Sequence, residues 1–177
     1  MADLLRQGVT DDAWRSAIYD DNILQTGSRA TASNLSRALR SRIEPLGPPL
    51  WAMVCDGDRT QATQAVLAGT VRTSALLGDF MDIALREQRA LFAPTLELRI
   101  WSDYIDGCRG RDPDMPRWSQ TTLDKLRSVV FSMLADAGYL GDTQHRRIQP
   151  VFVDDALRNL LEVQGERYVL RCMEVME

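Results

Sequence analysis

Arg29, Arg37, Arg40 and Arg42 lie within residues 25–43, the most basic window in the chain and one without an acidic residue. A guanidinium is planar, permanently charged and presents forked N–H donors, so it suits bidentate contact with phosphate or a guanine edge. A helix running from about Thr31 to Ile43 turns about 100° per residue, which puts Ala32, Leu35, Leu39 and Ile43 on one side. Ser33, Arg37 and Arg40 fall on the other side, Arg29 precedes the helix, and Arg42 flanks the apolar stripe. An earlier helix, capped by Thr10 and carrying Trp14, Ala17 and Ile18 on one face, is broken by Thr26-Gly27-Ser28. Helix, Gly-containing turn and basic helix is the order of a helix-turn-helix, though a break of about four to seven residues is loose for one. The solvated face of an amphipathic helix gives the same pattern, and pattern alone favours that plainer reading.

A second set of donors surrounds residues 117–147. Arg117 and Ser119 precede a helix whose apolar positions 123, 126, 129, 130, 133, 134 and 137 share one face. Thr121, Lys125, Ser128 and Ser132 lie on the exposed face, Thr122 belongs to the hydroxyl-rich start, and Arg127 borders the stripe. Hydroxyls and free N–H groups at a helix start hold phosphate well, because the helix dipole points its positive end there. Gly138 stops the helix, and Tyr139-Leu140 open a tract returning through His145, Arg146 and Arg147, the outline of a winged helix-turn-helix. Asp124 and Asp136 dilute the patch, and a core helix with an ordinary capped start fits equally well.

Enzyme chemistry finds little support. Leu67-Ala-Gly-Thr-Val lacks the second Gly and the Lys of a phosphate loop, and no GxSxG elbow occurs. His145 has no nucleophile near it in sequence. The pairs Asp11-Asp12, Asp20-Asp21 and Asp154-Asp155 are consecutive, so on a helix their carboxylates diverge and read as helix starts or solvated faces. Three scattered cysteines without a CxxC, and one His, supply no zinc set; reduced, mostly buried thiols are expected, and no metal or cofactor.

Net charge is −4, so affinity for a polyanion must come from local patches. Lys125 is the only lysine among 21 basic residues; the arginine bias suits phosphate contact, but a GC-rich coding sequence would produce it equally. No 18-residue apolar run occurs and the start lacks the pattern of a signal peptide, so a cytoplasmic protein with no membrane span is expected.

Helix follows helix along the remainder. Pro45 and Gly47-Pro48-Pro49 mark the clearest boundary, dividing an N-terminal helix-turn-helix-like subdomain, 1–45, from a helical bundle, 46–177, packed with it as one unit. Expected helices run from Leu50 to Cys55, from an Asp58 cap, from about Val71 to Phe92, and from Pro94 at a first helical position through Leu98, Trp101 and Ile105. Residues 106–116 read as a surface loop, and Asp154-Asp155 start a helix with Leu157, Leu160 and Leu161. The tail, Tyr168 to Met176, suits a short helix or an edge strand. The fold class is all-α, with two helix-turn-helix-like elements, the C-terminal one winged by a short β-hairpin.

The run Trp118-Ser119…Thr122-Leu123…Lys125-Leu126-Arg127…Val130…Leu134-Ala135…Ala137-Gly138-Tyr139-Leu140 resembles the C-terminal half of BrxA proteins. Thr31…Leu35…Arg40…Arg42-Ile43…Leu46 and Leu77-Gly-Asp-Phe80, followed by Trp101…Tyr104, fit the same family. BrxA is a small component of bacteriophage-exclusion (BREX) defence systems, and its family was once thought to reside in the inner membrane. The resemblance spans residues 10–165 and implies two helix-turn-helix elements flanked by basic surface that bind double-stranded DNA without catalysis. By position these elements are 28–43 and 117–147. The chain departs from the family in being acidic overall and slightly short, and it lacks the apolar run a membrane guess requires.

The resulting expectation is a monomeric, non-catalytic component of a phage-defence complex that grips double-stranded DNA mainly by its phosphates, alongside other defence proteins. Two alternatives stand beside it. One is a helical protein–protein adaptor, supported by the net negative charge and by a Pro48-Pro49-Leu50-Trp51 corner that would expose Trp51; the other is an RNA-binding helical bundle.

Overall fold

Apolar periodicity and caps build a chain of short helices, described for residues 1–175 in a computed structural model. In order they are α1 (Ala2–Gln7), α2 (Asp11–Tyr19), α3 (Arg29–Ile43), α4 (Pro48–Asp56), α5 (Arg59–Thr73), α6 (Ala75–Asp79), α7 (Arg86–Ala90), α8 (Leu98–Arg111), α9 (Gln120–Asp136), α10 (Asp155–Val163) and α11 (Arg167–Met173). A π-helical stretch, Phe80–Leu85, joins α6 to α7. Strand-like pairing among the described residues is limited to isolated antiparallel bridges, Thr95 with Arg147 and Leu140 with Ile148. The fold is all-α. No described helix is long and apolar enough to cross a membrane.

The chain divides into two compact units, Met1–Thr73 and Ser74–Glu177. The division follows α5 rather than residue 45, because α4 and α5 pack on α1 and α3. In the first unit Trp14, Ile18 and Ala32 are buried together against Leu4, Leu5, Val9 and Leu24. Thr10 caps α2 and Ser28 caps α3 by accepting from Ala13 N–H and Thr31 N–H. The Trp14 indole N–H donates to Ser36 Oγ at 3.3 Å, which turns Ser36 inward; Leu35, expected in the core, is exposed, and Leu39 is half-buried. α3 and α5 approach closely at Gly69, where a Cβ would sit 2.1 Å from the Arg42 carbonyl oxygen and 2.9 Å from Leu46 Cδ1. Trp51 is half-buried rather than exposed, its indole N–H donating to the Ile43 carbonyl at 2.8 Å.

The second unit is built around aromatic side chains. The Phe80 ring lies 5.4 Å from Trp101, 5.2 Å from Tyr104 and 6.0 Å from Phe131, tilted or edge-on, the geometry ring quadrupoles favour. α11 docks on the end of α6 and on the π-helical stretch through polar links. Tyr168 donates to Asp79 at 2.6 Å, Arg171 Nε to Asp82 at 3.0 Å, and Arg86 Nε to the same Asp82 oxygen at 3.2 Å. Arg86 also donates to the Arg171 and Glu174 carbonyls, and Tyr139 to the Met173 carbonyl at 2.7 Å, so side chains satisfy the open end of α11. Met176 lies outside the described residues; the tail up to Met173 is a helix.

Several boundaries differ from expectation for identifiable reasons. The expected 71–92 helix breaks at Ser74, whose hydroxyl caps Leu77 N–H. Pro94 does not begin a helix: its carbonyl accepts from Ile148 N–H at 3.1 Å, so residues 94–96 stay extended beside 146–148 and α8 starts at Leu98. α8 runs through Gly107 and Gly110 to Arg111, because its buried Trp101, Tyr104 and Ile105 outweigh the cost of helical glycine, about 1 kcal/mol each. In α9, Val129 is half-exposed at the edge of the stripe and Phe131 is buried in its place. Of the cysteines only Cys172 is buried; all three are free thiols.

Two expected outcomes follow from this packing. Gly69→Ala forces a methyl into the Arg42 carbonyl and lowers unfolding free energy by about 3 kcal/mol, measurable by urea titration. Burial pushes the Cys172 thiol up to about 11, so it stays protonated through pH 8. A thiol reagent at that pH then counts two reactive cysteines in the native protein and a third only after denaturation.

Candidate nucleic-acid interface

Both units expose basic side chains, and in the first unit several of them line one groove. In the first, α2 and α3 enclose an open groove lined by Trp14, Arg15, Ile18 and Tyr19 from one helix and Ser33, Ser36, Arg37 and Arg40 from the other. None of these lining residues is a carboxylate, and Asp11, Asp12 and Glu44 stand beside its arginines. Arg40 is the most heavily engaged cation. Its Nε and Nη2 donate to the two Glu44 carboxylate oxygens at 3.1 Å each, Nη1 lies 3.6 Å from Asp11, and the guanidinium sits 4.6 Å over the Trp14 ring. The Glu44 hydrogen bonds above all raise its already high pKa. With its donors so committed, Arg40 braces α2 against α3 and has little left for phosphate.

Arg37 is the opposite case: exposed at the groove, with no hydrogen bond or ion pair among the described residues. Arg15 is mostly exposed and its nearest acid, Asp12, is 3.9 Å away, a loose surface pair of small energetic weight. Sequence reasoning missed Arg15, and its signal was its place next to Trp14 on the helix that precedes the basic one. Arg29 stands at the start of α3, 3.6 Å from Asp20 and 5.4 Å over the Tyr19 ring, beside a neighbouring pocket formed with Asn22 and Ser28. Arg42 does not line the groove; its carbonyl faces α5 at Gly69, and its half-buried side chain has no polar partner among the described residues. The break between α2 and α3 covers residues 20–28, longer than expected.

In the second unit, Ser119 caps α9 by accepting from Thr122 N–H at 3.3 Å, and the two hydroxyls lie 3.0 Å apart. These groups are used in shaping the helix start. Arg117, Thr121 and Lys125 are exposed there, without side-chain polar partners among the described residues. Arg127 pairs with Asp124 at 3.0 Å and, with Ser128, Phe131 and Ser132, lines a groove shared with Leu98 and Thr143.

The 139–149 tract folds back on itself: Gly141 N–H donates to the Arg147 carbonyl and Gln149 N–H to the Tyr139 carbonyl, both at 2.9 Å. Asp142 ties the turn by accepting from the backbone N–H groups of His145 and Gln144; these bonds, that of His145 foremost, hold its carboxyl below the usual range. Arg146 has φ +52° and donates to the carbonyls of Leu96, Thr143 and Gln144, so it staples the turn rather than projecting from it. Arg147 is exposed, and its guanidinium has no partner among the described residues.

The geometry thus retains Arg15 and Arg37 on one face, and Arg117, Lys125 and Arg147 on the other unit, as uncommitted or loosely held cations. Arg40, Arg127 and Arg146 are committed to the fold. Exposed cations of this kind can pair with a phosphate backbone, a contact that by itself carries no base sequence.

Comparison with known proteins places the chain. A family model described as BrxA matches residues 1–165. A protein from Paramagnetospirillum magneticum named "BREX protein BrxA" is 42% identical, the alignment covering 99% of this chain and 88% of that one. A protein of the same name from Escherichia coli is 22% identical over 98% of this chain and 82% of its own. Among solved structures, that of an uncharacterized protein from Magnetospirillum magneticum superimposes with a TM-score of 0.88 at 41% identity, covering 98% of this chain and 89% of that chain. Model match, identity and superposition agree over nearly the whole length, and the chain belongs to the BrxA family.

Proposed function

We propose that this protein is a non-catalytic, double-stranded DNA-binding component of a BREX anti-phage defence system that contacts mainly the phosphate backbone. Family membership supports the defence role and other defence proteins as partners. The observation that carries DNA binding is the α2–α3 groove, where Arg15 and Arg37 stand with Ser33 while Arg40, held by Glu44 and Asp11, braces the two helices. In this reading α3 follows α2 as the second helix of a helix-turn-helix, and α9 with the 139–149 turn acts as a winged element whose exposed cation is Arg147. Affinity comes from counterion release, with a slope of about −0.9 in log K against log salt per phosphate neutralised. A net charge of −4 makes that affinity strongly dependent on low salt.

The adaptor reading loses its exposed Trp51, which is half-buried, and keeps the net charge of −4. Duplex binding separates the two. In mobility shifts at low salt, Arg37→Ala is expected to weaken binding to unrelated duplexes alike and to flatten the salt slope by about one unit, with melting temperature unchanged. Arg40→Ala is expected to lower stability by about 1 kcal/mol as the brace over Trp14 is lost. A native protein that binds no duplex at low salt leaves the adaptor reading in possession.

A further inference from the structure

Phe92 is the most exposed large apolar residue described, at 92%, and its neighbour Leu91 is 67% exposed. The ring stacks on no other ring among the described residues. Its backbone is unusual as well, with φ +55° in the left-handed region where bulky side chains are rare. The cause is a helix-ending motif: Phe92 N–H donates to the Arg89 carbonyl and Ala93 N–H to the Gln88 carbonyl, both at 2.9 Å, closing α7 with Phe92 at the position that usually takes glycine. A phenylalanine here stores backbone strain and recovers nothing from packing. Glycine would serve the fold better.

What lies beside Phe92 indicates an occupant. Past Ala93 the chain pairs with the turn tract: Pro94 carbonyl with Ile148 N–H, Thr95 with Arg147, and Leu96 N–H with the Arg146 carbonyl. The Leu91-Phe92 corner is therefore tethered two to three residues from the pairing that carries Arg147, a cation with no partner among the described residues. Arg89, one turn back on α7, is half-buried with its Nε enclosed, so Arg147 is the cation that remains exposed here. An exposed aromatic tethered within a few residues of the pairing that carries an exposed, uncommitted guanidinium matches a nucleotide, whose base offers a π-face and whose phosphate offers the counter-charge. A purely aliphatic partner would leave that cation unanswered.

We propose that the Leu91-Phe92 corner is a stacking element that holds an unpaired or unstacked nucleobase of bound DNA while Arg147 holds an adjoining phosphate. The inference rests on the DNA-binding reading above and adds a preference to it: DNA that is bulged, kinked or opened is held more tightly than an unbroken duplex. Wedge-like apolar side chains act this way where proteins unstack a base step.

The test compares a perfect 25-base-pair duplex, as a designed probe of about that length, with the same duplex carrying a two-nucleotide bulge that contains 2-aminopurine. The native protein is expected to bind the bulged probe about tenfold more tightly and to change its 2-aminopurine fluorescence. Phe92→Gly is expected to abolish both effects and leave perfect-duplex affinity and the salt slope unchanged, because no charge is removed. The same substitution relieves the left-handed strain, so its melting temperature rises by about 2–4 °C, which excludes misfolding as the cause of lost binding. Arg147→Ala, by contrast, lowers affinity for both probes and flattens both salt slopes. Equal native affinity for the two probes, or a Phe92→Gly variant that keeps the bulge preference, overturns the stacking element and leaves the DNA-binding reading intact. Failure of the native protein to bind either probe overturns both. Retained bulge preference accompanied by loss of binding to anionic phospholipid vesicles in Phe92→Gly would reassign the corner to a membrane surface and overturn the proposal.

Discussion

Arg40 lying over Trp14 is the contact on which the first basic face depends. The indole is anchored from within by Ser36 and covered from outside by a guanidinium that Glu44 and Asp11 hold in place. This arrangement fixes α2 against α3 at the level where the two helices display Arg15, Arg37 and Ser33. One cation is spent so that others stay available. Stacking desolvates one face of the Arg40 guanidinium, and the carboxylates offset its charge; Arg37, three residues earlier and clear of those acids, faces solvent.

The second unit follows the same division of labour. Phe80, Trp101, Tyr104 and Phe131 provide the apolar anchor, and a rim of charged groups on the π-helical stretch secures α11. An extra residue per turn in Phe80–Leu85 keeps Phe80, Met81, Ala84 and Leu85 inward while Asp82 and Arg86 reach the end of α11. At the other edge, Arg146 turns inward to three carbonyls and Arg147 outward to solvent. Adjacent arginines in sequence thus have opposite duties, one conformational and one available for a partner.

On the proposed DNA-binding reading, the available contacts are to phosphate rather than to base edges. Arg15, Arg37 and Lys125 sit on helices, Arg117 just before α9, and Arg147 in the 139–149 turn. Phe92 is the exception to this economy, since it breaks a local preference without repaying the fold. Such departures concentrate where function asks for them.

The amino-acid sequence by itself determined the elements whose causes are local. Thr10, Ser119 and Asp154 cap the helices they announce, and Gly138, with φ +83°, ends α9 as its position suggests. Trp14, Ala17 and Ile18, and likewise Leu123, Val130 and Leu134, are buried as their spacing implies. Such features were legible because caps and periodicity act within a few residues. Tertiary structure alone decided which arginines are free. Arg40 meets Asp11 from another helix, Arg146 meets Leu96 from a distant segment, and Arg15 joins Arg37 only once α2 and α3 close a groove. A guanidinium carries the same charge wherever it stands, but its availability depends on acceptors brought to it by folding, and no spacing along the chain records them.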